Sequence, residues 1–221
     1  MPPRGARLTA TERRSQLIDV ARSVFAQRGY EAASVEEIAA KAKVSKPIVY
    51  EHFGGKEGLY AVLVDREMDQ VVQRISQAIT SGTPRERVER ATLAFLTYVR
   101  DQRDGFVVLS RDAPVTLVRG GMSSLLNDVA ERVGRVFTAT LKQAGYDPKS
   151  APIYAHALVG MVTFVGQWWT ERRKPPVEEV ARHLAALAWM GLRHLPKHPT
   201  LASDDGHGAR RPRRGGREHG R

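Results

Sequence analysis

Residues 34–59 read SVEEIAAKAKVSKPIVYEHFGGKEGL, and the fold is decided there. Ser34 and Glu37 stand at capping-box spacing, in which each side chain satisfies a backbone donor that a helix leaves unpaired at its start. A helix is expected to open at that point, with Val35, Ile38, Ala39 and Ala42 on one face. The turn Lys43, Val44, Ser45 follows. Ser45 is placed to cap a second helix, whose early Pro47 is tolerated because first-turn amides lack intrahelical partners. Ile48, Val49 and Phe53 anchor this helix inward. Ser45, Lys46, Pro47, Tyr50 and His52 remain on its outer side: short polar, cationic and aromatic groups that suit base edges and phosphates. Two short helices joined by a tight turn, the second so decorated, are the build of a DNA reader.

The run KPIVYEHFGGKEGLY, residues 46–60, resembles the signature of the TetR family of bacterial one-component repressors. Its setting resembles the family too. A capped first helix in TATERRSQLIDVARSVFAQRGYEAAS, residues 9–34, leads through a Tyr-x-His-Phe run to the Lys56–Glu57 pair that opens a fourth helix. The resemblance implies that Ser34, Tyr50, His52 and Lys56 contact phosphates, while Ser45, Lys46, Pro47 and Ile48 face the major groove. Two positions depart from the common pattern. Glu51 stands where many members carry a second aromatic, and an anion cannot favour a phosphate contact; Pro47 replaces a frequent glycine, as it does in some members. The match covers the first quarter of the chain and leaves the variable remainder to be read from its own residues.

Composition agrees with a nucleic-acid partner. A chain of 221 residues with 42% apolar content can bury a real core. Its net charge of +11 and pI near 10.3 point to a polyanion, either nucleic acid or an anionic membrane surface. The charge sits at both ends: ten Lys or Arg against six Asp or Glu in residues 1–56, and seven against three in residues 196–221. The absence of cysteine excludes disulfides, thiolate nucleophiles and zinc-finger sites, and fits a reducing cytoplasm. The amino end lacks the apolar stretch of a signal peptide and runs into a helix with Thr9 and Glu12 at capping-box spacing. No motif implies a cofactor or a metal.

The pattern is helical throughout, with no alternation of period two that would call for a sheet. An all-α fold is expected: an N-terminal three-helix helix-turn-helix DNA-binding domain and a C-terminal helical domain for ligand binding and dimerisation. The boundaries read as a basic arm at 1–8, the DNA-binding domain at 9–55, the second domain at 56–195 and an Arg-rich, disordered tail at 196–221. The first helix, near 10–28, carries Leu17, Ala21, Val24 and Phe25 and stops at Gly29. A fourth helix, from 56 to about 81, has an apolar stripe too long for the small first domain, so its far half should enter the second. Further helices are expected from Thr83 and Pro84, around 104–112, 121–145 and 148–173, and near 176–195.

Residues 153–169, IYAHALVGMVTFVGQWW, are too short and too interrupted by His156 and Gln167 to span a membrane. A helix apolar nearly all round must be covered by protein. With the last helix it offers Ala157, Gly160, Ala185, Ala188 and Gly191 for close approach, so the two helices read as a four-helix homodimer seam.

A dimer would set two reading helices about 34–36 Å apart, the spacing of successive major grooves on a near-palindromic operator. A small-molecule effector in the second domain would alter that separation and relieve repression. Tyr98, Phe106, Met122, Phe164 and Trp168 are candidates for the apolar wall of its pocket, and Arg111, Asn127 and His156 for polar handles. The alternative is a helical small-molecule-binding protein or enzyme with only non-specific DNA affinity, although no HExxH, Gly-rich phosphate loop or serine elbow is present. The six tail arginines either strengthen non-specific phosphate attraction or form a solvated appendage, and Arg4 and Arg7 can reach a minor groove.

Overall fold

A computed structural model describes residues 8–110 and 122–201. Among these the chain forms nine α-helices and no strand: α1 Ala10–Ala32, α2 Val35–Ala42, α3 Lys46–Phe53, α4 Lys56–Ala78, α5 Pro84–Asp101, α6 Arg103–Ser110, α7 Met122–Gln143, α8 Ala151–Arg172 and α9 Val177–Arg193. The all-α expectation holds. Residues 1–7 of the basic arm, residues 111–121 with Arg111, and the tail from residue 202 lie outside the described residues.

Helix starts follow local chemistry. Thr9 with Glu12 and Thr83 with Glu86 form complete capping boxes, the latter with Pro84 in the first turn. Each cap contributes about 1 kcal/mol. Asp147 accepts from the Lys149 amide and starts a short 3-10 turn, Pro148–Ser150, ahead of α8. Two expected caps are incomplete. Ser34 accepts from the Glu37 amide at 3.1 Å, but the Glu37 carboxylate turns to Lys41 at 3.1 Å and Arg28 at 3.7 Å instead of back to Ser34. Ser45 occupies the cap position of α3 without making a side-chain cap bond.

Two apolar clusters build the molecule, and α4 runs through both. The first holds Leu17, Ala21, Val24 and Phe25 of α1, Val35, Ile38 and Ala42 of α2, Val49 of α3 and Leu59, Tyr60, Leu63 and Val64 of α4. Each fully buried large side chain contributes about 1.5–3 kcal/mol. The second holds Val71 of α4, Leu96, Tyr98 and Val99 of α5, Phe106 of α6, Trp169 of α8 and Val177, Val180 and Leu184 of α9. Thus the first half of α4 belongs to the headpiece (α1–α3) and its second half to the body, as the length of its stripe predicts. Helix α6 bridges the division, since Val108 is buried in the first cluster while Leu109 packs against both.

Close approach fixes the α3–α4 corner. Gly55 adopts φ 131°, which L side chains rarely reach, and a Cβ on Gly58 would lie 2.0 Å from the Phe53 carbonyl oxygen. Gly58→Ala should therefore cost about 1–3 kcal/mol of strain, lowering the thermal midpoint by roughly 3–10 °C in a domain of this size. Gly54, whose φ is 74° but whose Cβ would meet nothing within 4 Å, should lose only about 1 kcal/mol as Ala. Thermal denaturation of both variants checks this, and equal losses would refute the steric account.

Candidate nucleic-acid interface

Helix α2 ends on Lys43 in a left-handed conformation, φ 56°, and the Lys43 and Val44 amides close on the Ala40 and Ala39 carbonyls at 3.1 and 3.0 Å. That closure turns the chain sharply and aims α3 away from α2. Val49 is fully buried and Ile48 half-buried against the headpiece cluster. Opposite them Ser45, Lys46, Pro47, Tyr50 and Glu51 are exposed, with Tyr50 47% exposed. Ser45, Lys46, Pro47 and Tyr50 thus share the free side of α3, whereas Ile48, expected at the groove, is drawn largely into the core by its apolar side chain.

The orientation of α3 is held from outside it. Arg14 of α1 donates from Nη1 to the His52 carbonyl at 2.6 Å and sets its guanidinium 4.5 Å from the centre of the Phe53 ring. Neither contact is evident from sequence, because 38 residues separate Arg14 from His52. His52 itself is half-buried beside Phe53.

Lys56 corrects an expectation. Its ammonium donates to the carbonyls of Tyr30, Glu31 and Ala33 at 2.9, 3.2 and 3.1 Å and lies 4.4 Å from the centre of the Tyr30 ring. An ammonium has three donors, and all three are engaged. Lys56 therefore fastens the end of α1 to the start of α4, and its side chain is not free for a phosphate. The ring beneath it belongs to an aromatic group in which Phe25, Tyr30 and Tyr60 lie 4.9–6.0 Å apart. Burial raises the pKa of both tyrosines and keeps them neutral.

Lys46 pairs with Glu36 of α2 and lies 5.6 Å from the centre of the Tyr50 ring. The Glu36 hydrogen bond holds the Lys46 pKa above its ordinary value and the Glu36 pKa below. On the exposed side of α3, then, the leading cation is matched with a protein anion. Ser34, at the start of α2, is half-exposed with its hydroxyl oxygen engaged as the cap.

The pocket candidates are dispersed. Phe164 is 74% and Trp168 40% exposed, so neither lines an interior wall. The sequence shows that α8 is apolar all round but not which side its own subunit covers. Tyr98 and Phe106 are buried in the body cluster. His156 and Asn127 do meet, Nε2 to Oδ1 at 3.2 Å, but on an exposed surface between α7 and α8. Met122 opens α7 with its side chain outside the description, as is Arg111.

Comparison with known proteins matches this architecture. Residues 17–63 fit the family model described as bacterial regulatory proteins, tetR family, and residues 84–191 fit the tetracyclin repressor-like C-terminal domain. The HTH-type transcriptional activator FasR of Mycolicibacterium smegmatis is 32% identical over 196 residues, covering 87% of this chain and 89% of its own. The chain belongs to the TetR family of bacterial regulatory proteins. A crystal structure of a TetR-like transcriptional regulator from Rhodococcus sp. RHA1 is 31% identical, with a TM-score of 0.71 over 86% of this chain and all of that one. The HTH-type transcriptional repressor Rv3405c of Mycobacterium tuberculosis is 32% identical over 75 residues, 34% of this chain and 38% of its own. As a TetR-family member the protein is a DNA-binding transcriptional regulator with a helix-turn-helix headpiece. Among the described residues no helix is long and apolar enough to cross a membrane.

Glu36→Gln should free Lys46 and remove a nearby anion, tightening binding to duplex DNA by roughly 1.5- to 5-fold, the scale of an exposed ion pair. An anisotropy titration checks this. Unchanged or weaker binding would remove Glu36 as a competitor for Lys46.

Proposed function

We propose that this protein acts as a homodimer that binds a near-palindromic operator and releases it on binding a small-molecule effector, repressing transcription while bound. The observation that carries the reading is an uncovered apolar stripe on the molecule that also carries the reading helix. Ile153, Ala157, Gly160, Phe164 and Trp168 are exposed on α8 at spacings of three and four residues, so they form one face. Leu187, Met190 and Gly191 are exposed on α9. Ile153, Phe164 and Leu187 are each more than 60% exposed, and a face of that size and chemistry favours a partner of the same kind. Ala185 and Ala188, first assigned to the seam, are buried against their own body; Ala157, Gly160 and Gly191 keep that role.

Ser34, Ser45, Lys46, Pro47, Tyr50 and His52 are the DNA contacts in this reading. A single headpiece reads one half-site, and a two-fold pair reads two about 34–36 Å apart. Repression follows from occupancy of a promoter. Relatives carry both signs in their names, activator and repressor, and where the operator lies relative to the promoter decides between them.

The effector is a largely apolar small molecule held in the body near α7 and α8. Ala151, Ala155, Val159 and Thr163 are buried along α8, and Gly134 of α7 brings its backbone close to Ala155 and Pro152. A ligand there shifts DNA affinity by its difference in affinity between two body states, typically 5- to 150-fold.

Sedimentation and anisotropy with duplex from upstream of the protein's own gene test the reading. A dimer with saturable binding, at least about 10³-fold tighter than to random duplex, is expected. Phe164→Glu with Leu187→Glu should yield a folded monomer that binds the operator at least tenfold more weakly. Equal competition by random duplex would instead favour the helical binding protein or enzyme with non-specific DNA affinity.

A further inference from the structure

Glu67 lies midway along α4, between Val64 in the headpiece cluster and Val71 in the body cluster, and has no solvent exposure. Its two carboxyl oxygens face different parts of the molecule. Oε1 accepts from Arg22 Nε of α1 at 2.7 Å, and Oε2 accepts from the Tyr98 hydroxyl of α5 at 2.9 Å. Helix α6 closes the third side, since a Cβ on Gly105 would fall 2.1 Å from Glu67 Oε2 and 2.8 Å from the Tyr98 hydroxyl oxygen. Four helices from both parts of the molecule thus converge on one carboxylate.

The surrounding charges complete the arrangement. Arg22 also holds Asp19 at 3.0 Å, Asp19 lies 3.6 Å from Arg66, and Arg74 sits 5.8 Å from the centre of the Tyr98 ring while reaching Asp101 at 3.6 Å. Burial and the adjacent Glu67 raise the Tyr98 pKa far above its ordinary value, so the phenol remains a donor.

A buried ion pair adds little net stability, because desolvation offsets most of its attraction. It does impose direction. Apolar contacts such as those of Val108 and Leu109 tolerate small slides between headpiece and body, whereas a slide that separates Arg22 or Tyr98 from Glu67 leaves a buried charge unmatched. We infer that Glu67 is a positioning residue that fixes the angle of the headpiece on the body through Arg22 and Tyr98, and thereby the half-site spacing a dimer accepts. The inference rests on the dimeric reading above.

The test measures affinity for three operators, the preferred one and two with the half-site spacing changed by one base pair in either direction. Wild type should discriminate by at least roughly tenfold, since one base pair both shifts and rotates the second site. Tyr98→Phe and Glu67→Gln should each flatten that discrimination at least fivefold. Val71→Ala, which removes apolar contact one turn along α4 without touching the carboxylate, should leave it steep even at a lower thermal midpoint. Tyr98→Phe keeps the shape of the core, so the test stands even where Glu67→Gln folds poorly. If both polar variants keep the wild-type spacing profile, or Val71→Ala flattens it equally, the positioning role is overturned while the dimeric reading stands. A wild-type protein that is monomeric, or indifferent to spacing, overturns both.

Discussion

A carboxylate shut away from water must find every partner inside the protein, and Glu67 finds one on each side of the division between headpiece and body. Much of the architecture can be read from that requirement. Helix α4 must be long enough to carry apolar residues into both clusters, α6 must present a residue without a side chain where the carboxylate and phenol meet, and Arg22 must reach inward from α1. Removing one member of such a pair costs about 3–5 kcal/mol, a large part of the net stability of a domain. The junction therefore tolerates little substitution.

Within the headpiece the same logic works at shorter range. The reading helix is only eight residues long, too short to be stable alone, and its position is borrowed from neighbours. Arg14 binds the His52 carbonyl near its end from one side, the Lys43 turn fixes its entry, and the close-packed corner at Gly55 and Gly58 fixes its exit. Lys56 then ties the following helix back to the end of α1. Side chains outside α3 thus determine how its exposed face is presented.

The fold was legible in the sequence wherever the information was periodic or local. Leu17, Ala21, Val24 and Phe25 repeat at helical spacing and are buried together; Thr9 and Thr83 sit at the helix starts that the sequence marks. What escaped was relational. Glu37 matches the capping-box pattern, yet Lys41 and Arg28 offer it opposite charge. Lys56 reads as a free cation because its three carbonyls lie 23 or more residues away. Phe164 and Trp168 resemble ligand walls because hydrophobicity alone does not say which side of a uniformly apolar helix the subunit covers. Only the position of Glu67 between the two halves of the α4 stripe marks it in the sequence; its burial is a property of the assembled helices.

The internal use of cations bears on how the protein meets DNA. Of the ten Lys and Arg in residues 1–56, Arg14 and Lys56 are bound to carbonyl oxygens, Arg22 to a buried carboxylate and Lys46 to Glu36. A duplex sheds condensed counterions only for the positive groups that reach its phosphates. The ionic-strength dependence of headpiece binding should accordingly be shallower than the formal charge suggests, leaving a greater share of the association free energy to the fit of α3 in the groove.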